Sequence, residues 1–203
     1  MSAQEIMVLA NVISFIGNAL FTSSALFKSK KRIIAFQTGC HLLNSVAWTI
    51  QGAYAGLSQD ASCFFKNIVL LFVDDSKKLL KLVINIFFII VALSLGIILN
   101  VLLSNNVWYG YLPITGMFLY SSAAAYVFWK EGLSKNKVEL LLKCLLIVNG
   151  VCQCIYGIMV QVYASTIFNS ITIVLSIYSI IRISILIKKE KQNKQIEDDF
   201  ENA

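Results

Sequence analysis

Seven apolar runs, with nearly all basic residues confined to the segments between and after them, set the limits on what this chain can fold into. They cover residues 5–27, 33–56, 60–75, 79–103, 108–129, 137–160 and 163–187. A bilayer-crossing helix needs about 20 mostly apolar residues, and it must bond its backbone polar groups internally. The fourth run, LLKLVINIFFIIVALSLGIILNVLL, has the fewest polar interruptions, whereas the third is short and starts beside Asp60. Of 203 residues 58% are hydrophobic and 14% charged, against roughly 25% charged in a soluble domain. A globule this small has too little interior to hide so much apolar surface. The sequence therefore predicts an all-α membrane protein of seven transmembrane helices, with the lipid bilayer as its first partner.

The net charge of +6 could suggest a nucleic-acid surface, but the positions of the charges exclude it. Lys28, Lys30, Lys31 and Arg32 separate runs one and two; Lys77, Lys78 and Lys81 separate runs three and four. Lys130, Lys135 and Lys137 separate runs five and six, and Arg182, Lys188, Lys189, Lys191 and Lys194 mark the end of run seven and the tail behind it. The other connections carry no Lys or Arg. Because basic loops stay cytoplasmic, this alternation predicts an odd span count, an outside amino terminus and a cytoplasmic carboxy terminus. Lys66 and Lys143, inside runs, are expected to snorkel to the interfaces. The charged tail, residues 188–203, reads as disordered. The first run has no basic segment before it, so it reads as a span and not a cleaved signal.

Chemistry-bearing motifs are missing. Five cysteines form no disulfide framework, and the spacing of Cys152 and Cys154 points them to different sides of a helix, which suits no metal. There is no HExxH, no GxSxG and no acid–base pair within a run, so neither an enzyme nor a cofactor is expected. With Asp60 at a boundary and Asp74 and Asp75 at the inner end of run three, no carboxylate is expected mid-span, which argues against an energised pump.

The chain also resembles itself. IGNALFTSSAL (16–26) aligns with ITGMFLYSSAA (114–124), and LLNSVAWTIQG (42–52) aligns with IVNGVCQCIYG (147–157). The second alignment pairs Asn44 with Asn149, Trp48 with Gln153 and Gly52 with Gly157. CFFKNIVL (63–70) is matched to TIFNSITI (166–173) so as to pair Asn67 with Asn169. The expected plan is 3+1+3: one three-helix repeat (1–76), a linker helix (77–106) and a second repeat (107–187). A single linker span makes the repeats parallel, with a substrate path between them.

Polar stripes fit such a path. Run one carries Asn11, Ser14, Asn18 and Thr22; run two carries His41, Asn44, Trp48 and Gln51. Run six carries Asn149, Gln153 and Tyr156, and run seven Ser165, Asn169, Thr172 and Ser176. Each stripe has helical spacing. Such residues serve either as hydrogen-bonding glue between helices or as a wet lining. The asparagines matched between repeats, Asn67 and Asn169, are read as lining. His41, the sole histidine, is read as a structural hydrogen-bonding residue, with a proton relay as the alternative.

The 3+1+3 plan, the outside amino terminus and asparagines in spans three and seven resemble the SWEET and PQ-loop (MtN3-like) transporter superfamily. Within it, FIGNALFTSSALFKSKKR and FNSITIVLSIYSIIR are similar to the YgjV-type bacterial inner-membrane family, over about residues 8–185. The resemblance implies an inner-membrane carrier that moves a small polar solute by alternating access. Asn67 and Asn169 would line the central site, with Trp48 and Gln153 as clamp residues and Asn44 and Asn149 beside them. A homo-oligomer is also consistent with the superfamily. The chain departs from it in having one proline, Pro113, and no Pro-Gln, which leaves hinging to glycines. The competing expectation is a non-transporting receptor or assembly partner on the same fold.

Overall fold

The computed structural model describes residues 2–201 apart from Ala25, Lys28, Asp75 and 130–134. Among the described residues there are seven α-helices and no strand: α1 (Ala3–Ser24), α2 (Lys30–Ile50), α3 (Tyr54–Phe72), α4 (Lys78–Leu103), α5 (Tyr111–Trp129), α6 (Lys135–Met159) and α7 (Tyr163–Glu201). A 3₁₀ turn, Trp108–Gly110, leads into α5. Pro113 sits in the first turn of α5, where its missing N–H breaks no intrahelical bond.

Four helices are long and apolar enough to cross a membrane by composition: Ala3–Ser24, Lys78–Leu103, Asn136–Met159 and Tyr163–Lys188. The outer surface matches a lipid solvent. Phe15, Phe65, Phe87, Ile90, Val174 and Tyr178 are among many large apolar side chains more than half exposed, which water would not tolerate in such number.

Sequential neighbours pack together from α1 through α7, and α1 closes the ring against α7. Helix α2 lies between α1 and α3, and α6 between α5 and α7. Helix α4 packs against α3 and α5, which also touch each other. Its Leu79, Val83, Phe87, Ile90, Leu102 and Leu103 remain exposed on the outside of the bundle.

Two boundaries differ from the hydropathy reading. Hydropathy carries run two to 56 and starts run three at 60, but α2 stops at Ile50 and α3 begins at Tyr54. Gly52 ends α2 at φ +68, with Gly52 N–H donating to Thr49 O and Ala53 N–H donating to Trp48 O. This is a Schellman cap. Hydropathy penalises Gln59 and Asp60 and so moves the apparent helix start past them; the backbone responds to Gly52 instead. The other difference is at the carboxy end, where α7 keeps helical backbone to Glu201 through the stretch expected as disordered. Lys, Glu and Gln are good helix formers, and adding residues to an existing helix needs no new nucleus.

The α6–α7 connection repeats the α2–α3 turn bond for bond. Gln161, at φ +61, takes the place of Gly52. Gln161 N–H donates to Ile158 O and Val162 N–H donates to Gly157 O, as Gly52 and Ala53 do to Thr49 and Trp48. The helices after these turns start alike, with Leu57 N–H on Ala53 O and Thr166 N–H on Val162 O.

The matching turns revise the register read from sequence, in which Gly52 pairs with Gly157. In the turns, Gly52 corresponds to Gln161 and Trp48 to Gly157. Counting equally from each turn pairs Asn44 with Gln153, Cys40 with Asn149 and Asp60 with Asn169. The first and fifth helices agree. A Cβ on Gly17 would meet Leu43 Cβ at 3.1 Å, and one on Gly116 would meet Cys152 Cβ at 3.1 Å, and Leu43 and Cys152 correspond in the same register. Apolar letters align in several registers, whereas a left-handed residue can occupy only one place in this turn.

Candidate functional site

A cavity of about 180 Å³ lies inside the ring, lined by α1, α2, α3, α6 and α7. A larger cleft, about 400 Å³, opens at the ends of α2, α3 and α4 beside Lys31, Phe72, Asp74 and Lys81. That cleft lies at helix ends, where headgroups and water reach. The smaller cavity is the one that gathers side chains from both ends of the sequence.

Five of the six residues expected at the site line it: Asn44, Trp48, Asn149, Gln153 and Asn169. Asn67 does not. It is buried on α3, 7% exposed and about two turns beyond Asp60. The positions α3 presents to the cavity are Gln59 and Asp60. Counted from the two matching turns, Asp60 and Asn169 stand at the same distance along α3 and α7.

Asp60 organises the wall. Its Oδ1 lies 2.7 Å from His41 Nδ1, and its Oδ2 accepts a hydrogen bond from Trp48 Nε1 at 2.6 Å. An indole N–H can only donate, and an ionised carboxylate only accepts. Facing an ionised Asp60, His41 Nδ1 would be the donor of this bond, which leaves Nε2 as the ring's second nitrogen. The two side chains are 20% and 13% exposed, so the pair is half-sheltered and still open to the cavity. Asp60 lies about 9 Å into α3. Asp60 therefore sits inside α3 and not at its boundary, and it is the feature of the cavity wall that the sequence reading missed. The available signal is the helix stop at Gly52, which places Asp60 nearly two turns inside α3.

Trp48 is held on three sides and offers little stacking face to a solute. It is 2% exposed, packs against Tyr156 at 5.5 Å between ring centroids, and lies on Gly56. A Cβ at Gly56 would approach Trp48 Cδ2 to 2.8 Å, so only glycine lets α3 come this close. The Gly56 N–H donates to Tyr156 Oη at 3.2 Å, which fastens α3 to α6.

The amide side chains show a common polarity. Asn18 Nδ2 donates to Ser14 O at 2.8 Å, and Asn169 Nδ2 donates to Ser165 O at 2.9 Å. Asn44 Nδ2 donates to Cys40 Sγ, and Gln153 Nε2 donates to Gln59 Oε1 at 2.5 Å. Asn44 Oδ1 accepts from Ser14 Oγ at 3.0 Å, so Asn44 works as glue between α1 and α2. Asn149 Oδ1 is buried without a partner. It is packed against Gly116 of α5, where a Cβ would meet it at 2.8 Å, so of these carboxylate and amide oxygens it is those of Asp60 that stand on the cavity wall.

Residues 8–186 match a family model described as Imp-YgjV, bacterial inner membrane protein. The chain belongs to this family. No curated relative and no solved structure matches it. The YgjV-family protein is therefore a membrane-embedded inner-membrane protein with several apolar helices, as its exposed apolar surface requires.

Proposed function

We propose that this YgjV-family protein is a carrier that moves a small polar solute across the inner membrane by alternating access, on a plan like that of the SWEET and PQ-loop superfamily. Helices α1–α3 and α5–α7 act as two parallel three-helix repeats, with α4 as the linker that reverses the chain. All seven helices span, with the amino terminus outside and the carboxy terminus in the cytoplasm. The reading rests on one observation: a polar cavity enclosed by α1, α2 and α3 on one side and α6 and α7 on the other. The identical Schellman caps after α2 and α6 support the repeat, and the lateral position of α4 suits a linker.

The site is re-centred on the pairs Asp60–Asn169 and Asn44–Gln153, with Trp48 and Asn149 beside them. Rocking of one half against the other would open the cavity to each face in turn. Asn11 is placed to latch the halves: its Nδ2 donates to Gln161 O and its Oδ1 accepts from Ala164 N–H, both at 2.9 Å. No catalytic step is assigned to any of these groups.

The test is uptake of a complex metabolite mixture into proteoliposomes, read by mass spectrometry. At least one small polar solute should accumulate with the wild-type protein. Asn169→Ala should abolish that uptake, and Asn67→Ala, off the cavity, should retain it. If no solute is taken up by correctly inserted protein, the carrier reading falls and a receptor or assembly role takes its place.

A further inference from the structure

The carrier reading leaves open the charge of the solute. We propose that the cavity selects a small solute bearing a protonated amine, and that this ammonium group competes with a proton on His41 for the Asp60 carboxylate, so that loading releases a proton. The inference deepens the carrier reading and uses the same cavity.

Among the described residues, the cavity lining holds one carboxylate, one imidazole and no Lys or Arg. With His41 neutral the lining carries one negative charge; with His41 protonated it carries none. The Asp60 carboxylate on the wall favours a donor that carries positive charge. Asn18, Asn44, Gln153 and Asn169 all direct their N–H groups to acceptors of the protein itself. Asp60 lies on the wall as its acceptor of full negative charge. An ammonium group needs only acceptors and a counter-charge. At about 180 Å³ the cavity is comparable to one of roughly 150 Å³ that holds benzene, so the solute is small.

The groups around the pair leave its charge to His41 and Asp60. On α2 and α3 the nearest titratable neighbours are the thiols of Cys40 and Cys63 and the amine of Lys66. Lys66 and Cys63 line a separate crevice with Phe88 of α4 and Met117 of α5. Helix α6 contributes Tyr156, behind Trp48, with its hydroxyl on Gly56. Helices α1 and α7 bring no titratable side chain to the cavity lining.

The exchange balances without any covalent step. In the empty cavity His41 Nε2 takes a proton from water, and the imidazolium neutralises Asp60. When the ammonium enters, two cations share one carboxylate in a poorly solvated site and repel. The proton on Nε2 then returns to water, and Nδ1–H keeps its bond to Asp60 Oδ1. One positive charge enters the site and one leaves.

The experiment is calorimetric titration of the full-length protein in lipid nanodiscs with methylamine, ethanolamine or putrescine, and with ethylene glycol as the neutral match to ethanolamine. Each titration is run in two buffers of different ionisation heat, so that released protons are counted. At least one amine should bind, at least about ten-fold tighter than ethylene glycol. Amine binding should release protons, read as the difference in heat between the two buffers. His41→Asn, which can keep a donor towards Asp60 without titrating, should bind the amine and release no proton. Asp60→Asn should lose amine affinity, and Asp60→Glu should restore part of it. No binding of any amine to the wild-type protein would overturn the proposal, whatever the variants do. So would ethylene glycol binding as well as ethanolamine, or unchanged proton release in His41→Asn. Amine binding without flux in proteoliposomes would uphold the site and sink the carrier.

Discussion

At the scale of single residues, the wall of the cavity is built by contacts that allow little substitution. Trp48 is fixed by the Asp60 carboxylate and by the absence of a side chain at Gly56. Gly56→Ala should therefore destabilise the protein by about 1–3 kcal/mol, the usual cost of overpacking, as measured by thermal unfolding in detergent. Asp60→Ala removes the acceptor for both His41 and Trp48. It should cost about 1.5–3 kcal/mol, the scale of hydrogen bonds to a charged group, and Asp60→Asn should cost less because it can still accept from Trp48 Nε1. The reverse order would mean that Asp60 does not organise Trp48. Asn44, which sequence pairing marks as a site residue, is chiefly a tie from α2 to Ser14 and Asn18 of α1.

At the scale of elements, the two Schellman caps decide how α3 and α7 enter the bundle. An L-residue in the left-handed region costs about 1–2 kcal/mol, and Gln161 occupies the place Gly52 fills in the other cap. Gln161→Gly should accordingly raise the melting temperature and Gly52→Gln lower it, with opposite signs in one unfolding assay. Asn11→Ala leaves Gln161 O and Ala164 N–H without their side-chain partner and should cost about 1–3 kcal/mol. Helix number, the lipid-facing surface and most of the polar lining are legible from hydropathy and spacing, since these depend only on local chemistry. The α2–α3 boundary is not, because Gln59 and Asp60 look like loop residues until Gly52 is recognised as the stop. The His41–Asp60 bond is illegible for a related reason: it joins two helices across a turn whose length sets which faces meet. Asn67 is paired with Asn169 by residue identity, whereas counting from the turns puts Asp60 at the matching position, and it is Asp60 that lines the cavity with Asn169.

At the scale of the whole molecule, the claim is that the ring of helices encloses a path. The lysine alternation predicts that a cysteine placed at Asn105, in a variant without native cysteines, reacts with an impermeant reagent from outside. One placed at Ser76 should react only from the cytoplasmic side, and the opposite pattern would invert the topology. The path itself is tested most directly by a single cysteine at position 169, opposite Asp60 in the cavity wall. A charged, impermeant thiol reagent is applied to intact spheroplasts and, separately, to inverted membrane vesicles. A cavity that opens alternately predicts labelling at position 169 from both faces. Labelling from one face only, or from neither, would contradict it and leave the polar cavity as a buried hydrogen-bonding core.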